Sequence, residues 1–285
     1  MTHFLISSLT LGARTIGDAL RNIPPGFDGV EFGVGVEPSE IDHFHAWQQR
    51  GGQALAHNYF PPPPEPFVLN LASSDKEILT KSITLCRTAI EFCADHSIPA
   101  YSVHAGFCVH AHPADLGREL TQLPRFPKVE ARKIFVESLA RLARRARELG
   151  VGLAVENNVV APMNLVNGRN ELLLGARPQS LANLIYDTGE NVSILLDLAH
   201  LKVSAQTLDF DVADALEAVK GMVRIVHVSE NNGLRDENRL FETRPWFADF
   251  SSSHLKSVEY VVLETVAAPR TALTNQAHLL RQTWP

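Results

Sequence analysis

The feature that most restricts the fold is an alternation. Eight short apolar runs follow one another along 285 residues: Phe4–Ser8, Gly29–Phe32, Ala54–Asn58, Ala100–His104, Val151–Asn157, Val192–Asp197, Arg224–Ser229 and Tyr260–Glu264. They are nearly continuous in apolar residues, as strands buried on both faces are. Helical patterns separate them. From Val129 to Leu149, the residues Phe135, Leu139, Leu142, Ala146 and Leu149 step by four and three, and Gly150 stands where a helix-ending glycine belongs. Ser74 to His96 reads as a second long helix, with Ser74 as its cap and Glu77 three residues on. Pro178–Tyr186, Leu208–Val219 and Thr271–Leu280 read as shorter ones. Strand and helix alternating eight times predict an α/β fold, a single (β/α)8 TIM barrel spanning residues 1–285 as one domain. An open doubly wound sheet is the alternative, but no Gly-x-Gly-x-x-Gly turn follows the first strand to support it.

Composition narrows the partners. The formal charge is -6, which is not the footprint of a nucleic-acid binder. Cys86, Cys93 and Cys108 have no metal-site spacing; the first two share a helix face and read as buried thiols of a reducing compartment. The opening residues lack a basic start and a long apolar core, so no secretory leader is expected, and no apolar run is long enough to span a bilayer. A cytoplasmic protein with no membrane partner is the expectation. Exposed barrel helices leave room for a homo-oligomer.

In a barrel, chemistry sits at the carboxyl ends of the strands. Those ends carry Glu31, His57, His104, Glu156, Asp197, His227 and Glu264, with His200 just beyond the sixth strand. Acids and histidines converging on one small volume make a divalent-metal site, because carboxylates gathered in a dry cavity repel one another and a cation neutralises them. Each residue also has a plainer reading. His57 or His104 can be an internally satisfied histidine, Glu31 can pair with a lysine or arginine, and Asp197 and His200 can cap a helix. Glu and Asp are disfavoured inside strands, yet strands five, six and eight each end in an acid after aliphatic residues. Long segments leave the fourth, fifth and seventh strands (105–128, 158–176 and 230–250), and "YFPPPPEPF" after the third reads as a rigid connector or a stiff pocket wall.

The stretches "VHAGF", "LAVENN", "LLDLAH", "VHVSENNG…D" and "VVLET" resemble the strand ends of the xylose-isomerase-like barrel superfamily, over about His57 to Glu264. That group holds sugar and sugar-phosphate isomerases and epimerases, polyol dehydratases and endonuclease IV. In its epimerase-like members the resemblance implies one Mn, Mg, Zn, Co or Fe ion on Glu156, Asp197, His227 and Glu264, with Glu156 and Glu264 as the catalytic proton carriers. His200 would bind substrate. The implied reaction is isomerisation or epimerisation of a small carbohydrate by proton transfer through a metal-stabilised enediolate. Glu31, Asn157, Arg235 and Trp246 are further candidates for substrate contact, and Trp246 with Phe247 for an apolar lid or an oligomer contact. The alternative is a multinuclear enzyme, an endonuclease IV-like phosphoesterase or an iron-dependent oxidase, with His57, His104, His200, Asp236 and Asn238 binding further ions. There Asn238 stands where endonuclease IV-like members have histidine, and "LFETRPWFADF" where they have a glycine-rich segment. A non-catalytic barrel that binds a small molecule is a third reading.

Overall fold

In the computed structural model, which describes residues 1–284, the eight apolar runs are strands. They are β1 His3–Ser7, β2 Gly29–Phe32, β3 Gln53–His57, β4 Ala100–His104, β5 Gly152–Glu156, β6 Ser193–Asp197, β7 Val223–Val228 and β8 Tyr260–Leu263. Each pairs in parallel with the next, and β1 pairs with β8, which closes a (β/α)8 barrel. Gly29, paired with Gln53 of β3, leaves no room for a side chain: a Cβ there would collide with the Gln53 carbonyl oxygen.

Successive strand residues point to opposite faces. The inward set of one level is Leu5, Leu55, Ala154, Leu195, Ile225 and Val262, which pack together as the plug of the barrel. The outward set, including Ile6, Val30, Ala56, Val103, Val155, Leu196, Val226 and Leu263, belongs to the main core under the helices. Two residues beyond the plug, on the same inward face, stand His57, Glu156, Asp197, His227 and Glu264. The hydrophobic layer thus sets the height at which the polar cluster begins.

The helices are α1 Ile16–Asn22, α2 Ile41–Gln48, α3 Lys76–Asp95, α4 Lys128–Leu149, α5 Pro178–Tyr186, α6 Leu198–Leu208, α7 Val212–Glu217, α8 Ala248–His254 and α9 Arg270–Thr283. In α4 the residues Phe135, Leu139, Leu142 and Ala146 are buried as expected, and Gly150 ends it at φ 72°. Cys86 and Cys93 lie buried on α3.

Two expectations change. Asp75, not Ser74, caps α3; its carboxylate accepts from the N–H groups of Glu77 and Ile78. The helix expected over 208–219 is shorter, α7 Val212–Glu217, and it is the second of two helices after β6. The first starts at Leu198, directly from β6 with no loop between, and ends where Asp209 turns left-handed at φ 54°.

The long segments after β4 and β5 build a small core of their own from Val109, Leu120, Val160, Leu172, Leu173 and Ala176, joined by an antiparallel bridge between Phe107 and Leu173. Among the described residues no helix is long and apolar enough to cross a membrane.

Candidate metal centre

The inward strand ends meet at one place. Glu156, Asp197, His227 and Glu264 each offer a ligand atom, and those atoms all lie within 4.8 Å of one another. A divalent ion bonds to such atoms at roughly 2.0–2.4 Å, so atoms on opposite sides of it are separated by about twice that. Two further groups share members with this one: His57, His104 and Glu156, and Glu31, His57 and His227. Glu156 is the common element of the first two. Its Oε2 lies 3.3 Å from His57 Nε2 and 3.2 Å from His104 Nδ1, and its Oε1 lies 3.3 Å from His200 Nδ1. His227 stands between two acids, with Nε2 2.8 Å from Glu31 and Nδ1 3.0 Å from Glu264.

Neighbours fix the rings. Ser102 Oγ lies 3.4 Å from the Ala56 carbonyl, to which it donates, and 2.9 Å from His57 Nδ1, from which it accepts. That leaves Nε2 of His57 as the lone-pair atom; it lies on the Glu156 side and accepts from Asn58 Nδ2 at 3.0 Å. His200 sets Nδ1 2.9 Å from the Asn157 carbonyl oxygen and Nε2 3.4 Å from Asp236. Asp197 also caps α6, accepting from the N–H of His200 at 2.6 Å.

The cluster does not satisfy itself. Buried polar atoms without a hydrogen-bond partner include Glu31 Oε1, His104 Nδ1, Glu156 Oε2, His227 Nε2 and Asp236 Oδ1, all within this one region. Native interiors rarely leave such atoms unpaired. Burial pushes the Glu31 and Glu156 carboxyls above their usual range and Asp197 up to about 6. Burial, with His227 nearby, presses His57 down to about 3, and burial with His57 and His200 nearby presses His104 well below its usual value. For His200 and His227 burial works against charge, but flanking acids outweigh it and hold both imidazoles well above their usual range. At Glu264 and Asp236 burial is likewise outweighed, by His227 and His200 respectively, and both carboxyls are held low. Lone pairs facing one another, and acids resisting ionisation through burial, are what a divalent cation relieves.

A cavity of about 830 Å³ opens beside the cluster, with His104, His200, Asp236 and Arg235 in its wall. Arg235 is exposed. The other substrate candidates are placed differently. Asn157 is buried and clamps β5 to β6, donating to the Asp197 carbonyl at 3.0 Å and accepting from the Asp197 N–H at 2.7 Å. Glu31 is buried against His227 rather than paired with a lysine or arginine. Asn238 donates to Asp236 at 3.1 Å and accepts from Ser229. Trp246 packs on Phe247 and Phe250, with Lys202 5.9 Å above its ring, and is not part of the cavity wall. Phe247 is fully buried core, which leaves it no part in a lid. Of the proline run, residues 61–64 are outside the cavity wall while Tyr59 is in it.

Two residues to which the sequence assigns no role matter here. Ser102 orients His57, and its position two before His104, on the same strand face, is the signal that would have found it. Asn158 donates from Nδ2 to the carbonyls of Ala105, Gly106 and Leu174, tying the β4 and β5 loops together at the cavity.

A family model described as xylose isomerase-like TIM barrel matches residues 19–257. Among solved structures, a D-tagatose 3-epimerase-like protein superposes with a TM-score of 0.74 at 18% identity, covering 99% of this chain and 97% of that one. An L-ribulose 3-epimerase does so with 0.75 at 17%, covering 99% and 94%. A Thermus thermophilus protein soaked with zinc chloride does so with 0.62 at 19%, covering 99% of each. At these identities the likeness speaks for the fold. No curated protein matches the sequence.

Proposed function

We propose a function from one premise: this chain belongs to the xylose isomerase-like TIM barrel family. The reading is a divalent-metal-dependent isomerase or epimerase of a sugar or sugar phosphate, moving a proton at the carbon beside a carbonyl. The observation that carries it is the group Glu156, Asp197, His227 and Glu264, two glutamates with an aspartate and an imidazole inside one 4.8 Å set. The superposition with sugar 3-epimerases supports it.

These four residues would hold the cation; Glu156 Oε2, buried without a hydrogen bond, is the atom that fits it. When bound, a divalent ion acts as a Lewis acid on carbonyl and hydroxyl oxygens, which makes the adjoining C–H acidic enough to lose. The chain supplies the rest. Glu156 and Glu264 come from strands on different sides of the barrel, β5 and the end of β8, so one carboxylate can take a proton and the other return one. His200, held by the Asn157 carbonyl, presents its ring at the cavity wall to a substrate oxygen. Plug residues such as Leu195 and Val262 close the floor to water.

The group His57, His104 and Glu156 favours a second reading, a multinuclear enzyme of phosphoester hydrolysis or iron-dependent oxidation, with His200 and Asp236 at its edge.

The test is made in heavy water. Metal-loaded protein is incubated with ketoses and their phosphates, and deuterium entering the carbon next to the carbonyl is followed by NMR. The expected result is wash-in with at least one sugar, falling by about a hundredfold or more in Glu264→Gln. No exchange with any of them, or equal exchange in the variant, overturns the isomerase reading. Elemental analysis of the same samples separates the readings: about one ion per chain accords with the first and two or three with the second.

A further inference from the structure

The cavity beside the metal cluster is larger and more apolar than a sugar requires. At about 830 Å³ it falls in the range that takes a drug-sized ligand. A monosaccharide carries a hydroxyl on nearly every carbon and is held where each finds a partner. Here the polar groups that face the metal cluster are His104, His200 and Asp236, while the charged Arg118, Arg235 and Glu237 complete the polar part of the wall. Much of the remaining wall is Tyr59, Leu69, Phe107, Leu116, Val159 and Met163. Two amides that reach the same wall are already engaged: Asn158 Nδ2 on three carbonyls, and Asn164 Oδ1 on the Leu120 N–H at 2.9 Å. Free hydroxyls of a lone sugar would meet mostly hydrocarbon there.

The rim points the same way. Of the eight large apolar side chains exposed among the described residues, five stand on loops at the carboxyl ends of strands: Leu9, Val34, Leu116, Leu234 and Val266. Leu116 is itself in the cavity wall, and Leu234 adjoins Arg235, which is. Single exposed aliphatics are ordinary on a soluble surface. Leu116 and Leu234 stand at the cavity, and the other three share its end of the barrel on loops after β1, β2 and β8 that do not line it, so the approach for an apolar group is on the Leu116 and Leu234 side.

We propose that the substrate is a sugar that keeps a free carbonyl, as the proton transfer above requires, and carries an apolar aglycone, the sugar at the acid–imidazole cluster and the aglycone along the Tyr59, Phe107, Leu116 and Met163 wall. This rests on the carbohydrate reading above and adds the substrate class. Recognition of the aglycone is by burial of hydrocarbon, so it demands length and apolarity but no particular polar group.

Isothermal titration of the metal-loaded protein with matched methyl and octyl glycosides of glucose, galactose and mannose tests it, the octyl forms kept below their micellar concentration. At least one octyl glycoside is expected to bind ten times or more as tightly as its methyl partner. Leu116 is exposed and Met163 half-buried, so Leu116→Gln with Met163→Gln leaves the fold intact, which circular dichroism verifies; the preference should shrink to about threefold or less. Equal binding of the methyl and octyl forms, or an unchanged preference in the double variant, overturns the aglycone assignment and leaves the isotope-exchange result untouched. Binding of 1-octanol as tight as the best octyl glycoside would overturn the sugar half of the proposal instead.

Discussion

Glu156→Gln is the sharpest probe of the metal centre, because Glu156 belongs to two of the three ligand groups. A ligand at a hundred times its Kd stabilises the folded state by about 2.7 kcal/mol. A chain of 285 residues melts with an entropy of about 0.6 kcal/mol per kelvin. Saturating Mn, Co or Zn is therefore expected to raise the Tm of the chelator-stripped protein by about 4–5 °C. In Glu156→Gln the rise should fall below about 1 °C. The metal-free variant should nevertheless melt close to wild type. Glu156 Oε2 has no hydrogen bond to lose, and an amide N–H in its place would face His104 Nδ1 at 3.2 Å, which has no other partner and can accept. Scanning calorimetry with and without metal reads both quantities. A wild-type-sized metal shift in the variant would refute Glu156 as a ligand. A metal-free Tm lower by more than about 5 °C would show that the carboxylate holds the barrel together by itself, since such a loss corresponds to about 3 kcal/mol at this chain length.

Asp197 has two tasks and two substitutions separate them: Asp197→Asn keeps the cap on α6 but weakens metal retention, whereas Asp197→Ala also costs about 1 kcal/mol in urea unfolding; equal stability of the two would discard the cap. Leu195→Ala empties part of the barrel plug and should cost about 3 kcal/mol in the same assay, and a loss under about 1 kcal/mol would mean that the plug collapses to fill the space. Burial pushes the Cys86 thiol up to about 12 and Cys108 up to about 11. A raised thiol stays protonated below its pKa, so iodoacetamide at pH 7 should leave both unmodified in the folded protein and alkylate both in urea, with labelling of folded Cys108 growing as pH approaches 11. Rapid labelling of Cys86 at pH 7, read by mass spectrometry, would contradict its burial.

The barrel was legible because parallel strands covered on both faces must be apolar almost throughout, which makes each one visible as a run. The cluster was legible for a related reason. A polar residue at the end of such a run has left the hydrophobic level, and the two-residue step from Leu55 to His57, Ala154 to Glu156, Leu195 to Asp197, Ile225 to His227 and Val262 to Glu264 places it inward. What stayed hidden depends on partners distant in sequence. Asn158 matters through the carbonyls of Ala105, Gly106 and Leu174, and a backbone carbonyl leaves no mark on a sequence. Tyr59 lines the cavity while the more conspicuous prolines after it do not.

Asp197 shows why capping and ligation are poor rivals as explanations. The two readings compete on paper for one carboxylate, but a carboxylate has two oxygens and several lone pairs. Its Oδ1 receives the N–H of His200 at 2.6 Å, while the side chain still belongs to the four-residue ligand group. Because β6 passes into α6 with no loop between them, that cap also fixes where His200 stands. Losing the carboxylate therefore removes a metal ligand and releases the first turn of the helix that presents His200. The effects of changing Asp197 and His200 should for that reason fall short of additive in a double-mutant cycle on metal affinity, as they do for neighbours sharing one network. Strict additivity would show that the cap does not transmit position, and that the two residues act on the site separately.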